Sequence, residues 1–408
     1  MVVHPSRQLP QVPRIALVTG GVPAGGSTTF LINFAGELVR RGLPVEVFSL
    51  EWDNPMAADF QRQKIPLLCL DQRRQIFEDR LKIILQNLVR FQPTAVVSTL
   101  GAISFEPLRY LPAGVFRVGM GQSDDPNVYA MMAHYTPWLD LVAMVSPAMK
   151  FRAEAMPEFA RVPVAYLSYG VPMCPDSELP VRDFQRPLRI LYLGRLCHEQ
   201  KRVRLFPEIY AQLCASGIPF HWTIAGEGED RSWLEERLKS VSPSQTVSFA
   251  GWVNYSEVPT VLKQHDVSLL TSDYEGFGLS VAESMGYGLV PVASDLPAGI
   301  PEMVDPTTGM LVPVNDVVGY ARAIIHLHEH RDELAAKSTA ARARVKKKFS
   351  VEAMTDGWLA QFPVQTPVTD WPKKWRIKIP LTAKNPFYFT QPVRWLRRQA
   401  IGIKSEKF

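Results

Sequence analysis

The segment Leu269-Leu-Thr-Ser-Asp-Tyr-Glu275-Gly-Phe-Gly-Leu-Ser-Val-Ala-Glu283 holds two glutamates with seven residues, two of them glycine, between them. An apolar run ends near Leu270, and helical spacing of apolar residues resumes at Leu279. Gly276 and Gly278 therefore fall in a strand-to-helix turn, where the absence of a Cβ lets a ligand approach the backbone. A helix starting near Leu279 would present unpaired N–H groups and the positive end of its dipole, a ready phosphate site. Glu283, about one turn inside that helix, is placed to accept hydrogen bonds from ribose hydroxyls, and Glu275 stands before the glycines at the same edge. Two acids beside a phosphate need balancing cations. Arg195, after Leu191-Tyr-Leu-Gly194, and Lys201, six positions further on, supply them. Two cations on a neighbouring strand-to-helix loop can neutralise a diphosphate without a metal. Taken singly, each of the four is equally well explained as a solvated, capping or ion-paired charge. Their combination in one pattern is what points to a diphosphate carrying a sugar.

Such residues must be held by strands that end together. Arg14-Ile-Ala-Leu-Val-Thr-Gly-Gly reads as a buried parallel strand running into a glycine-rich turn, followed by a helix from Ser27 to Arg41 and a strand from Pro44 to Leu50. The alternation continues with a helix around Asp79 to Phe91 and strands Ala95 to Thr99, Val115 to Gly119 and Leu141 to Ser146. A polar, proline-containing stretch from Ser168 to Pro187 breaks the rhythm as a linker would. A second series follows: strands Arg189 to Leu193, His221 to Ala225, Val247 to Phe249, Val267 to Leu270 and Val290 to Ala293, with helices Arg204 to Ser216 and Arg231 to Ser240. The expected fold is α/β, two doubly wound Rossmann-like domains facing a cleft, covering 1–180 and 187–360, with a basic aromatic tail over 361–408. The turn Gly20-Gly21-Val-Pro-Ala-Gly25-Gly26-Ser27 would bring backbone amides, Gly21 among them, to the donor phosphates or the acceptor. No Lys-Ser or Lys-Thr follows it, so it is not a phosphate loop of the nucleotidase kind, and its glycine spacing fails the dinucleotide fingerprint.

Several of these motifs together resemble the retaining GT-B glycosyltransferases of family four, the glycosyl transferases group 1. They are Gly194-Arg195-Leu196 with His198-Glu199-Gln200-Lys201-Arg202, Ala225-Gly226-Glu227-Gly228, Glu275 with Glu283, and Asp295-Leu-Pro-Ala-Gly299-Ile-Pro-Glu302. The likeness is dense from Arg189 to Phe349; the first domain shares only the architecture and the glycine-rich turn. It implies that Arg195 and Lys201 bind the donor diphosphate, and that amides near Gly278 and Leu279 hold the distal phosphate. It also implies that Glu283 binds ribose, Glu275 contacts the transferred sugar, and Val253 lies where the base packs. The implied reaction retains anomeric configuration by front-face attack and needs neither metal nor cofactor. Many relatives carry a histidine on a first-domain loop near the reacting sugar. The corresponding stretch here, Gly119-Met-Gly121-Gln122-Ser123-Asp124-Asp125-Pro126, has none, which leaves Gln122 and Asp124 as acceptor-side candidates. The adjacent aspartates alone do not make a metal site.

Composition sets the remaining bounds. With 408 residues, 46% hydrophobic and 21% charged, the chain is an ordinary globular protein of two-domain length. Its four cysteines lack metal-ligand spacing. Met1 to Arg14 has no apolar signal-peptide core, and no later segment reaches the roughly 18 apolar residues of a membrane span, so a cytoplasmic protein is expected. From Asp370 to Phe408, ten Lys and Arg stand against Asp370 and Glu406, a net +8 in a chain of +5, leaving −3 for the rest. With Trp371, Trp375, Phe387, Tyr388, Phe389 and Trp395, that tail could rest on an anionic membrane at the inner face or fold back across the first domain. The expected partners are a nucleotide-diphosphate sugar and a glycan or lipid-linked acceptor, and no nucleic acid. Readings kept open are a sugar-nucleotide epimerase or sugar phosphorylase of the same fold, and a non-catalytic binding protein. All four charges being intact argues against the last of these.

Overall fold

The computed structural model describes residues 12–50, 54–70, 77–180, 186–241, 246–363, 368 and 370–372. Strands β1 (Ile15–Thr19), β2 (Val45–Ser49), β3 (Leu67–Cys69), β4 (Ala95–Thr99), β5 (Phe116–Gly121), β6 (Leu141–Met144) and β7 (Val164–Tyr166) form the first sheet, in the order β3-β2-β1-β4-β5-β6-β7. Strands β8 (Leu188–Leu193), β9 (Phe220–Ala225), β10 (Val247–Gly251), β11 (Val267–Leu270), β12 (Val290–Ser294) and β13 (Met310–Val312) form the second, in the order β10-β9-β8-β11-β12-β13. Every pairing in both sheets is parallel. Parallel strands are covered by helices on both faces, and β1, β4, β11 and β12 are accordingly buried at every position. The two expected Rossmann-like domains are present. Strands β3, β7 and β13, three residues each, were not readable in the sequence because they are too short to carry a period.

In each sheet the strand order reverses at the centre, between β1 and β4 in one and between β8 and β11 in the other. The two loops that leave the carboxyl ends of such a pair splay to opposite faces and open a crevice for a ligand. Arg195 and Lys201 follow β8, and Glu275 follows β11, so the sheet order alone brings residues about seventy positions apart to one place.

The domains share a seam. Val171 bridges to Ser350, and the Val171 N–H donates to the Phe349 carbonyl at 2.9 Å, so the two chain crossings lie against each other. Gly170 is required there: a Cβ would lie 2.7 Å from the Ser350 carbonyl oxygen. Beyond the crossing, helix Val351–Leu359 leaves the second domain within the segment expected to belong to it. It packs on the first-domain helix Gly26–Arg40, because its apolar residues Met354 and Trp358 bury there. Trp358 sits 5.7 Å from Phe30 and 5.3 Å from Phe34 between ring centroids, and rings continue through Tyr169 and Phe277 to Phe349. Phe362, Val368 and Trp371 also rest on the first-domain core. Residues 373–408, which carry most of the tail's charge and the expected membrane contact, lie outside the described residues.

Candidate active site

The loop after β8 is shaped by close backbone approach. Gly194 N–H donates to the Ala225 carbonyl at 3.0 Å and Leu196 N–H to the Glu227 carbonyl at 2.8 Å. Gly226 has φ 145°, and a Cβ on it would fall 1.8 Å from the Gly194 carbonyl oxygen, so only glycine fits there. A Cβ on Gly228 would meet the Leu196 carbonyl oxygen at 2.1 Å. These glycines, ambiguous in the sequence, thus set the course of the backbone that carries Arg195. Arg202, with φ 52°, turns the chain again after Lys201.

Lys201 and Glu275 meet directly: Nζ lies 2.5 Å from Oε1, with side chains only 14% and 10% exposed. Ser272 Oγ donates to the same oxygen at 2.6 Å. An ammonium has three protons. One is given to Glu275, which leaves the others for phosphate oxygens in the crevice. Arg195 is exposed, and one guanidinium nitrogen donates to Gln200 Oε1 at 2.9 Å. Gln200 also donates from Nε2 to the Tyr274 carbonyl at 3.3 Å and accepts from the Asp273 N–H at 2.8 Å. Arg202 pairs with Asp273 at 2.6 Å. Gln200 and Ser272 were given no role in the sequence, since a neutral side chain joining two loops leaves no spacing signal.

Helix Leu279–Gly286 begins where expected. Gly278 precedes it at φ 92° with no side-chain cap, so the first N–H groups are open to an anion. Opposite it, helix Gly26–Arg40 also starts uncapped, after Gly25 at φ 142°. The two starts abut, a Cβ on Gly26 lying 3.4 Å from the Leu279 side chain. Both positive helix ends therefore border the same crevice. Gly21 is buried at the root of its loop, with its carbonyl accepting from Thr19 Oγ1 at 2.9 Å; Gly25 and Gly26 are the glycines that reach the opening.

Glu283 is partly buried, and no hydrogen bond reaches it from another described residue. Desolvation pushes its carboxyl up to about 8, so at neutral pH it carries a proton and can both donate to and accept from a diol. Tyr255 and Tyr287 stand close enough to feel its charge. Val253 is half-buried in a small apolar cluster with Leu193, Val258 and Tyr287. Two residues on, the Tyr255 hydroxyl donates to Asn33 Oδ1 at 2.5 Å, and Asn33 Nδ2 donates to the Gly170 carbonyl at 2.8 Å. This chain of bonds runs from the second domain through the first-domain helix to the crossing, and nothing in the sequence marked it.

The first-domain candidates separate. Gln122 follows β5 and faces the other domain: a Cβ on Gly276 would come 2.5 Å from its carbonyl oxygen. Its side chain lies by the hydroxyl of buried Tyr169, and its Oε1 is buried without a partner among the described residues. Asp124 is instead engaged inside its own domain, accepting from Tyr129 at 2.7 Å and Arg152 at 2.8 Å. Asp125 caps helix Pro126–Tyr135 through the Asn127 N–H at 2.8 Å. The aspartate pair thus has structural work at both positions.

Residues 187–330 match the family described as Glycosyl transferases group 1. The chain is 30% identical over 239 residues to a putative colanic acid biosynthesis glycosyltransferase, WcaL, of Escherichia coli, covering 55% of this chain and 58% of that one. It is 30% identical over 153 residues to a lipopolysaccharide 1,6-galactosyltransferase of Salmonella typhimurium, covering 36% and 41%. The alignments thus span about half the length of these curated relatives. Among solved structures, TarM of S. aureus, in a complex with fondaparinux, alpha-GlcNAc-glycerol and UDP, superimposes with a TM-score of 0.71 at 12% identity, covering 85% of this chain and 99% of that one. Anabaena HepE with UDP gives 0.69 at 16% identity, covering 85% and 98%. At such identity the superpositions show the fold, which is GT-B.

Proposed function

We propose that this chain, whose residues 187–330 belong to the glycosyl transferases of group 1, moves a sugar from a nucleotide-diphosphate sugar to a glycan or lipid-linked acceptor. The observation that carries the reading is the Lys201–Glu275 pair beside Arg195, set at the switch point of the second sheet and facing two uncapped helix starts. Donor phosphates would lie between Arg195, the remaining Lys201 protons and the amides of Leu279 and Ser280. Glu275 would hold a hydroxyl of the transferred sugar, protonated Glu283 the ribose, and Val253 the edge of the base. Gln122 is the first-domain group offered to the sugar.

In this reading the transfer retains anomeric configuration. The acceptor oxygen attacks the anomeric carbon on the face from which the phosphate departs, the carbon–phosphate oxygen bond breaks, and the acceptor proton passes to the leaving phosphate oxygen. Developing charge on that phosphate is met by fixed cations and helix ends rather than by water, the kind of stabilisation that dominates such reactions. In this scheme Arg195 and Lys201 would do the work of a metal at the diphosphate.

A panel of nucleotide sugars, assayed by thermal stabilisation and donor hydrolysis, tests the reading, with Glu275→Ala and Lys201→Ala as comparators. UDP-sugars come first, because the TarM and HepE structures were solved with UDP. Stabilisation of the wild type by a nucleotide or its sugar, lost in Lys201→Ala, is expected; a wild type blind to every donor rejects the proposal. Among the described residues no helix is long and apolar enough to cross a membrane. We place the reaction in the cytoplasm, with the basic tail beyond Trp371 offered to the inner membrane face. Equal liposome flotation with and without that tail rejects the membrane contact.

A further inference from the structure

We propose that Tyr274 is the surface on which the acceptor sugar stacks, making it the acceptor-binding residue of the second domain. The inference rests on the donor reading above and adds the acceptor's place and class, a pyranose ring. Tyr274 directly precedes Glu275, which puts it one residue from the group assigned to the transferred sugar. It is 44% exposed, whereas Phe277, the other aromatic of the same loop, is 2% exposed and built into the interdomain ring cluster.

A lone exposed tyrosine on a surface needs no explanation. This one differs because its backbone is fixed on both sides. Asp273 is held by Arg202 through its side chain and by the Gln200 carbonyl through its N–H. The Tyr274 carbonyl accepts from Gln200 Nε2, and Glu275 is held by Lys201 and Ser272. The loop is therefore braced at three successive residues, yet it leaves a large aromatic face open.

The surroundings fit a carbohydrate. The charges of Glu199 and Arg195 and, from the first domain, of Asp125 act on the Tyr274 hydroxyl. An exposed aromatic face within electrostatic reach of such charged groups matches a pyranose, whose axial C–H groups form an apolar face edged by hydroxyls. The ring's negative face attracts polarised C–H groups, and the carboxylates accept from equatorial hydroxyls. Asp125 belongs to the opposite domain, so the ring lies within electrostatic reach of both walls.

Saturation-transfer NMR with methyl α-glucopyranoside, methyl α-galactopyranoside and methyl α-mannopyranoside, in the presence of UDP or GDP, tests this on the whole protein. At least one glycoside is expected to bind the wild type. Tyr274→Ala should weaken that binding about tenfold, as loss of an aromatic contact worth about 1.4 kcal/mol would, while nucleotide affinity moves less than about twofold. Tyr274→Phe keeps the ring and should bind like the wild type. Unchanged glycoside binding in Tyr274→Ala overturns the proposal, and so does a parallel loss of nucleotide affinity, which would make the ring a mere support for the loop. Nucleotide binding with no glycoside bound overturns it and leaves the donor reading standing. If neither nucleotide binds, the donor reading falls and this inference with it.

Discussion

At the carboxyl ends of β8 and β11 the second domain offers charge: Arg195, Lys201 and Glu275, with Glu283 a turn behind. At the same ends of β1 and β4 the first domain offers backbone. Gly25 stands at φ 142°, Leu100 at φ 42° and Gly101 at φ 85°, and the Thr99 hydroxyl is buried with no partner among the described residues. Leu100 is not a residue that adopts such a φ without cost, and strained positions of this kind gather where a ligand is held. One wall thus offers charged side chains, while the other shapes a space with main chain. A diphosphate needs opposed charge wherever it binds, which is why the charged wall is the one read as the donor's.

The largest expected effect tests the charged wall. Lys201→Ala removes the ammonium from the diphosphate and leaves Glu275 unpaired, so donor turnover should fall by roughly 10²–10³. A loss below about tenfold in steady-state kinetics would mean that the second wall is not the charged centre described here. Next comes the seam. Gly276→Ala places a methyl 2.5 Å from the Gln122 carbonyl oxygen and should hold the walls apart, lowering kcat/KM about tenfold with little change in melting temperature. If it is as active as the wild type, the closeness of the walls does not matter to catalysis.

Glu283 gives a smaller, pH-dependent effect. Its folded carboxyl titrates at about 8 against an ordinary 4.5, so the wild type is destabilised progressively as pH rises between those values. Glu283→Gln lacks that slope. In the absence of ligand its melting temperature should exceed the wild type's by a margin that grows from pH 5 to pH 8 and then levels. A constant margin across that range would show a normal carboxyl. The smallest effect is expected at Asp124. Its bonds to Tyr129 and Arg152 are partly exposed, so Asp124→Ala should cost about 1 kcal/mol of stability by denaturant titration and leave donor turnover within about twofold. A large loss of turnover would put charge chemistry on the first wall after all.

The charged wall was the legible one. Arg195, Lys201, Glu275 and Glu283 sit on short segments whose glycines and apolar period announce a strand, a turn and a helix. The first wall gave only a glycine-rich turn, and Gly21 was named there although Gly25 and Gly26 reach the opening. Asp124 looked available because a sequence does not show that Tyr129 and Arg152 already occupy it. Tyr255, Asn33 and Tyr169 were passed over for the same reason, since their meaning lies in partners on another domain.

Alternation of apolar runs with periods of strand and helix determined two doubly wound domains, because burial of a parallel sheet admits few other patterns. Local chemistry singled out the loop that is read as a diphosphate site. What only the tertiary structure decided is who meets whom. Lys201 closes on Glu275 because β8 and β11 are neighbours, and Gly276 faces Gln122 because the chain crosses back at Ser350. Such encounters depend on sheet order and domain approach, which fix distances between residues far apart in the chain and leave no trace in their spacing.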